Sequence, residues 1–309
     1  MYLYRNLPSI SSHATETPRV ATIGVFDGLH LGHREILRQT ICVAQANACP
    51  AIVCSFEPMP AEFFAPNDPP ARLTRFRERF ELLQALKIDQ LFCPRFASVR
   101  DLGADEFIET FLVKALNLRH LVVGHDFQFG AGRSGCSDDL RSAGKKFGFG
   151  VSVMEPVFFN AERISSTLIR AALAKGNLSK ARNMLGRDYS MSGRVVHGLG
   201  VGKNLGFPTA NVNLKRRLAP VDGIFAVQIS GITDHRLDGV ASVGNRPMMG
   251  GGETLLEVFI FDFDRDIYGD YITVHFVARL REERSFADID AMKEQIHLDV
   301  RDARAALTG

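Results

Sequence analysis

Two glycine-dense segments carry the side chains best suited to polyphosphate chemistry. The first is Gly24-Val25-Phe26-Asp27-Gly28-Leu29-His30-Leu31-Gly32-His33. It follows an apolar run over residues 20–26 and precedes a helical pattern over residues 34–46, which puts His30 and His33 at the mouth of a helix. Backbone N–H groups and the helix dipole favour a polyphosphate at that position, and Gly28 and Gly32 let the main chain approach it closely. The second is Gly202-Lys203-Asn204-Leu205-Gly206-Phe207-Pro208-Thr209-Ala210-Asn211, which combines glycine, hydroxyl, amide and ammonium groups. The pair points to two ATP-using reactions on one polypeptide.

Transfer of a nucleotidyl group to a phosphate needs no protein nucleophile. It needs positioning, and donors that neutralise the charge moving onto pyrophosphate. His30 and His33 lie one turn apart and can serve one phosphate site, although two histidines at this spacing suit metal ligation or a plain surface equally well. Ile164-Ser165-Ser166-Thr167-Leu168-Ile169-Arg170 adds hydroxyl caps before a helix over residues 168–174, with a guanidinium one turn in. Phosphorylating an alcohol instead calls for a base and a metal that draws charge from the γ-phosphate. Glu257 interrupts the apolar run Leu255-Leu256-Glu257-Val258-Phe259-Ile260-Phe261, where a carboxylate is costly unless used or paired. The alternative is an outward-facing residue on a one-sided strand.

Three motif lookalikes fail. Gly130-Ala131-Gly132-Arg133-Ser134-Gly135 matches the dinucleotide fingerprint literally but stands too late in the alternating region. The Gly198–Lys203 stretch lacks the first glycine and the hydroxyl of a P-loop, and Asp262, Asp264 and Asp266 lack the glycine and terminal glutamate of a calcium loop.

Positioning these groups takes two folds. Up to about Leu185, strand-like runs (20–26, 51–56, 90–93, 121–123, 151–154) alternate with helical patterns, which predicts a parallel, Rossmann-like α/β sheet with ligands beyond the carboxyl ends of its strands. Phe26-Asp27-Gly28 and Gly124-His125-Asp126-Phe127 both fall at such ends. From Ser190 onward the strands 190–196, 224–230, 239–243, 255–261 and 271–276, followed by one helix over about 286–307, predict a small antiparallel barrel. The boundary is expected within Gly186-Arg187-Asp188, giving domains 1–186 and 187–309. Two domains suit 309 residues.

A formal net charge of +2 and a single short basic run, Lys215-Arg216-Arg217, argue against nucleic acid as a partner. The five cysteines lie in the first half without a Cys-x-x-Cys pair and read as reduced thiols. With no apolar leader and no run long enough to span a bilayer, the expected protein is cytoplasmic and membrane-free, a monomer or weak homo-oligomer.

Taken in order, these segments resemble the prokaryotic bifunctional riboflavin kinase/FAD synthetase family. The residues that carry the resemblance are the 24–33 motif, Phe56-Glu57-Pro58-Met59-Pro60, Arg72-Leu73-Thr74, Gly124-His125-Asp126-Phe127-Gln128-Phe129-Gly130 and Ile164–Arg170. Gly206–Asn211, Gly244-Asn245-Arg246-Pro247, Glu257, Tyr268-Gly269 and Leu280-Arg281-Glu282-Glu283 continue it through the second half. Practically the whole chain is covered, with Met248-Met249 a small departure after Arg-Pro. The resemblance implies an N-terminal FMN adenylyltransferase with ATP at Gly24, Phe26, Asp27, Gly28, His30, His33, Asp126, Ser165, Ser166, Thr167 and Arg170, where His30, His33 and Arg170 act catalytically. It places FMN at Phe56, Pro58 and Pro60. It further implies a C-terminal riboflavin kinase with Glu257 as base and Mg²⁺ on Thr209 and Asn211. There ATP lies along Gly202, Lys203, Phe207, Pro208, Thr209 and Asn211, with flavin at Arg281 and Glu283. Riboflavin, FMN and FAD are then the substrates and products.

Overall fold

The computed structural model describes residues 1–11, 17–198, 202, 206–245 and 254–308; Lys203 and Met248-Met249 lie outside the described residues. The chain divides into two compact units, Met1–Pro70 with Arg79–Ile164, and Ala71–Glu78 with Ser165–Gly309.

In the first unit, β1 (Tyr2–Tyr4), β2 (Arg19–Ile23), β3 (Ala51–Cys54), β4 (Gln90–Phe92), β5 (Leu118–Gly124) and β6 (Gly150–Met154) form one sheet in the order β1-β4-β3-β2-β5-β6. Every pairing is parallel. β2 and β3 are buried at each position, as strands of a sheet covered on both faces must be. The edge strand β1 is absent from the sequence reading because three residues, two of them exposed, carry no usable alternation. Helices α1 (Leu7–Ser11), α2 (Leu31–Ala46), α3 (Pro60–Phe64), α4 (Phe76–Ala85), α5 (Ala104–Glu106) and α6 (Ser137–Phe147) connect the strands. α5 runs into a π-helix over Phe107–Ala115. The apolar pairs 107/108, 111/112 and 115/116 repeat every four residues, a spacing that suits the wider π turn. Phe107, Phe111 and Leu112 pack with Phe56, Phe92 and Phe129 into the core against the sheet. A hairpin, β7 (Phe158–Phe159) and β8 (Glu162–Arg163), turns at Asn160 and Ala161, both with positive φ.

In the second unit, β9 (Tyr189–Val196), β10 (Ala210–Asn213), β11 (Gly223–Ser230), β12 (Leu237–Asn245), β13 (Thr254–Ile260) and β14 (Tyr271–Arg281) close into an antiparallel barrel in the order β10-β13-β12-β11-β14-β9. Thr254, Leu256, Val258 and Ile260 of β13 are buried while Leu255, Glu257 and Phe259 alternate with them on the less buried face. The terminal helix, Ile289–Leu307, starts where the Asp288 side chain accepts from Ala291 N at 2.8 Å. Its buried Ala303 packs with Ile224, Ala226, Val240 and Phe261 of the barrel. β10 is missed by the sequence reading because its residues belong to the glycine-hydroxyl motif.

Helices α7 (Ser166–Ala174) and α8 (Leu178–Leu185) pack with the barrel, although a boundary at 186/187 counts them with the first half. The reason is the apolar face of α8, on which Leu178, Ala181, Met184 and Leu185 are all buried. Charge binds the Ala71–Glu78 segment into the same unit. Glu78 accepts from Arg216 Nη2 at 2.5 Å, Arg75 N at 2.7 Å, Ser192 N at 2.9 Å and Ser192 Oγ at 3.2 Å. Arg216 also donates to Arg72 O at 2.7 Å. Among the described residues no helix is long and apolar enough to cross a membrane.

Candidate active sites

In the first unit the loop after β2 turns back on itself through positive φ values at Phe26, Gly28 and Leu29. The value of +82° at Gly28 is one that only glycine adopts without strain. Phe26 is buried beneath this turn, and a Cβ at Gly24 would sit 3.1 Å from its ring. Asp27 is also buried. The backbone then enters α2 with His30 as N-cap, its Nδ1 accepting from His33 N at 3.2 Å. That bond leaves the imidazole proton of neutral His30 on Nε2. The two rings stack at 3.6 Å, and Phe26 meets His33 edge-on at 5.2 Å. Burial, followed by the charges of His30 and Arg79, holds His33 well below the ordinary histidine value. His33 is therefore neutral at rest, and an arriving polyanion would raise its affinity for a proton.

Parallel pairing places the loops after β3, β2 and β5 side by side on one edge of the sheet. Thus the 24–33 motif lies between the 56–60 loop and Asp126. Asp126 is held by Arg163 at 2.6 Å. Partial burial opposes its charge, but Arg163 and His125 together draw its carboxyl below the usual range. The expected aromatic edge at Phe56 is not open. Phe56 is 9% exposed and packs on Phe96 and Phe111, because its strand drives it into the core. Pro58 is exposed and Pro60 opens α3. The accessible rings come from α3 itself, where Phe63 and the 69% exposed Phe64 meet Phe96 edge-on. The signal for them is the Phe-Phe pair three residues beyond Pro60. Arg79, fully buried, donates to Val25 O at 3.1 Å and Glu57 Oε1 at 2.8 Å, so it braces the loops after β2 and β3 together. Nothing in an amphipathic helix pattern singles it out.

Ser165, Ser166, Thr167 and Arg170 belong to the second unit. Ser165 caps α7, its Oγ accepting from Leu168 N at 3.2 Å, and Arg170 Nε donates to Ala71 O at 2.6 Å.

The second unit also holds a cavity of about 580 Å³ between barrel and terminal helix. It gathers Gly202, Phe207, Thr209, Asn211, Glu257, Arg281 and Glu283 from the sequence reading. Register explains why: Glu257 of β13 stands opposite Asn211 of β10 on one side and Ser242 of β12 on the other. Glu257 is half-buried on the outward face of the barrel, yet that face is roofed by the cavity wall. The functional and outward-facing readings are therefore compatible. A Cβ at Gly202 would lie 2.5 Å from Phe207 O and 3.0 Å from Thr209 Oγ1, and one at Gly198 would overlap the Asn211 amide. Glycine is needed at both points for the backbone to come so close. Ser242 Oγ donates to Glu283 Oε1 at 2.9 Å. Pro208 is exposed and outside the cavity wall, whereas Phe207 is buried against Phe259 and His297. The sequence reading misses Ser242, Phe286, Met292, Ile296 and Asp299 in this wall. The last three recur at helical spacing on one face of the terminal helix, which is the signal that could have found them.

Comparison with known proteins matches a different family model to each half of the chain. The family model described as FAD synthetase matches residues 12–168 and that described as riboflavin kinase matches residues 185–307. The chain is 42% identical to the bifunctional riboflavin kinase/FMN adenylyltransferase of Escherichia coli K12, over 98% of this chain and 97% of that protein. It is 41% identical to the protein of the same name from Haemophilus influenzae, over 92% of each chain. A solved structure titled as a macrolide-efflux protein from Streptococcus pneumoniae superposes with a TM-score of 0.83, at 31% identity and 98% coverage of both chains.

Proposed function

Since the chain belongs to the bifunctional riboflavin kinase/FMN adenylyltransferase family, we propose that its barrel cavity converts riboflavin and ATP to FMN and ADP, and that its α/β unit carries FMN and ATP to FAD and pyrophosphate. The observation that carries the kinase assignment is the composition of the cavity. Its wall combines apolar side chains that suit a flat aromatic ring, Ile224, Val240, Ala241, Phe259, Met292 and Ile296, with the polar Thr209, Asn211, Glu257 and Glu283.

Glu257 accepts the proton of the attacking ribityl hydroxyl, since a primary alcohol is a weak nucleophile at neutral pH. Thr209 and Asn211, each with its polar side chain against a glycine that admits no Cβ, would hold Mg²⁺ together with the ATP phosphates. Their hydroxyl and amide oxygens are hard donors of the kind a phosphate-bound, partly hydrated Mg²⁺ accepts. When bound, the ion supplies charge neutralisation at the γ-phosphate. Pro208 and Lys203 keep their ATP-binding roles only through the family resemblance.

In the α/β unit, His30 and His33 stabilise the charge developing on pyrophosphate. Stacked, and with His33 neutral at rest, they offer ring nitrogens to the anion, and His33 gains proton affinity as the negative charge forms. Gly24, Gly28 and Asp27 shape the backbone around the phosphates, and Asp126 borders the same sheet edge. The resemblance adds Ser165, Ser166, Thr167 and Arg170 to this reaction, with FMN beside Pro58 and Pro60.

Incubation of the purified chain with riboflavin, ATP and Mg²⁺, with products separated by chromatography, tests the reading. FMN should accumulate first and FAD follow. Riboflavin binding without either product would leave only a flavin carrier.

A further inference from the structure

Arg281 ends β14 in the cavity wall, and its guanidinium is held from behind by the terminal helix. Nε donates to Asp299 Oδ1 at 2.8 Å, Nη2 to Asp299 Oδ2 at 2.7 Å, and Nη1 to Glu282 O at 2.9 Å. Three of the five N–H donors of an arginine are thereby spent, and the fork geometry fixes the plane of the group. Two donors remain. Asp299 is itself 5% exposed and is the only charged residue buried on its helix among the described residues. Its Oδ1 takes a further hydrogen bond from Gln295 at 2.8 Å, and Gln295 in turn accepts from Arg284.

A carboxylate buried on an otherwise apolar helix face needs a reason. An apolar residue there would pack Ala303's helix against the barrel at least as well, since buried ion pairs contribute little net stability. The charge instead does two things to Arg281. It orients the guanidinium, and it cancels its charge, so that the remaining donors suit a neutral planar acceptor such as a ring carbonyl better than a phosphate. Met292 and Ile296, on the same helix face, supply apolar cover in the same wall.

We propose that Asp299 is a positioning residue for riboflavin phosphorylation: acting through Arg281, it sets the hold on the flavin ring and leaves the handling of ATP to the Thr209–Asn211 end of the cavity. The inference rests on the kinase reading given above. Asp299→Asn keeps the size of the side chain while removing its charge and one of its acceptors. Misplacement of a binding group by an ångström costs up to about a hundredfold, so the KM for riboflavin should rise about tenfold to a hundredfold. The KM for ATP and kcat should stay within about twofold, and FMN adenylylation by the same preparation should not change. In an Arg281→Met background, Asp299→Asn should add no further change in riboflavin KM, because the two residues act as one unit.

Steady-state kinetics of the full chain, with thermal unfolding of each variant, decide the matter. An unaltered riboflavin KM, a loss confined to kcat or to the ATP KM, or an undiminished effect of Asp299→Asn in the Arg281→Met background would overturn the proposal. Should Asp299→Asn not fold, Gln295→Leu, which removes the second hydrogen bond to Asp299, carries the test through a smaller rise in riboflavin KM alone; no rise would overturn it. A wild-type chain that binds riboflavin without phosphorylating it would refute the kinase reading itself, which distinguishes that failure from this one.

Discussion

Glu78→Gln is expected to be among the most destabilising single changes in the chain. The Glu78 and Arg216 side chains are 7% and 2% exposed and meet at 2.5 Å. The carboxylate also accepts from two backbone amides, those of Arg75 and Ser192, and from the Ser192 hydroxyl. Glutamine has the same shape but offers one oxygen and turns an N–H pair toward donors, so at least one buried donor loses its acceptor while Arg216 keeps its charge. Arg216 also donates to two neutral acceptors, the Arg72 carbonyl and the Tyr189 hydroxyl, which do not replace the lost carboxylate charge. Removing one member of a buried pair typically costs about 3–5 kcal/mol. At about 2–4 °C per kcal/mol for a unit of this size, the unfolding transition of the second unit should fall by about 6–20 °C. The chain has no tryptophan, so far-UV circular dichroism and calorimetry are the suitable probes. The transitions of the two units need separate fits. The pair also predicts coupling: Glu78→Met/Arg216→Met should be less destabilised than the sum of its single changes, by about 1–3 kcal/mol. A Glu78→Gln protein that melts within 2 °C of wild type, on the order of half a kcal/mol, would refute the reasoning, as would strict additivity.

Two further outcomes follow from the same geometry. Replacing both His30 and His33 by Ala should stop FAD formation while FMN accumulates from riboflavin, by about two to three orders of magnitude as for lost transition-state donors; product chromatography reads this, and undiminished FAD synthesis by a folded variant would refute the assignment. His275, which hydrogen-bonds Ser230 at 2.9 Å, is pushed down to about 4, first by burial and then by Arg236. Its native form is neutral and its unfolded form takes a proton below about 6.5, so the stability it carries is whole above that pH and declines as pH falls toward 4. Between pH 7.5 and 5 this amounts to about 2 kcal/mol. Urea midpoints at the two pH values should therefore separate less in His275→Phe than in wild type, and equal separations would count against it.

The two-fold division, the parallel character of the first sheet and five of the six barrel strands were legible because burial on two faces and on one face leave different periodicities. The signature loop was legible because glycine, histidine and a helix start coincide at residues 24–33. The ring platform was not, since Phe56 and Phe64 look equally apolar in sequence and only the sheet decides that Phe56 points inward. Arg79, Glu78 and Asp299 stayed hidden for a related reason. A charge on a helix reads as solvated until a distant loop or strand supplies its partner, and those partners, Glu57, Arg216 and Arg281, lie between 18 and 138 positions away. The placement of α7 and α8 beside the barrel likewise depends on which apolar surface receives the face of α8.

The central claim is that one chain holds two separate ATP-dependent reactions, of which only the first needs a base. The Glu257→Gln protein, assayed with Mg²⁺ and ATP on riboflavin and on FMN in parallel, tests it most directly. Loss of a general base commonly lowers a rate by about 10²–10⁴, so riboflavin phosphorylation should fall by that factor while conversion of supplied FMN to FAD continues within about twofold of wild type. FMN formation at near wild-type rate would contradict the account, and so would loss of both reactions in a folded protein.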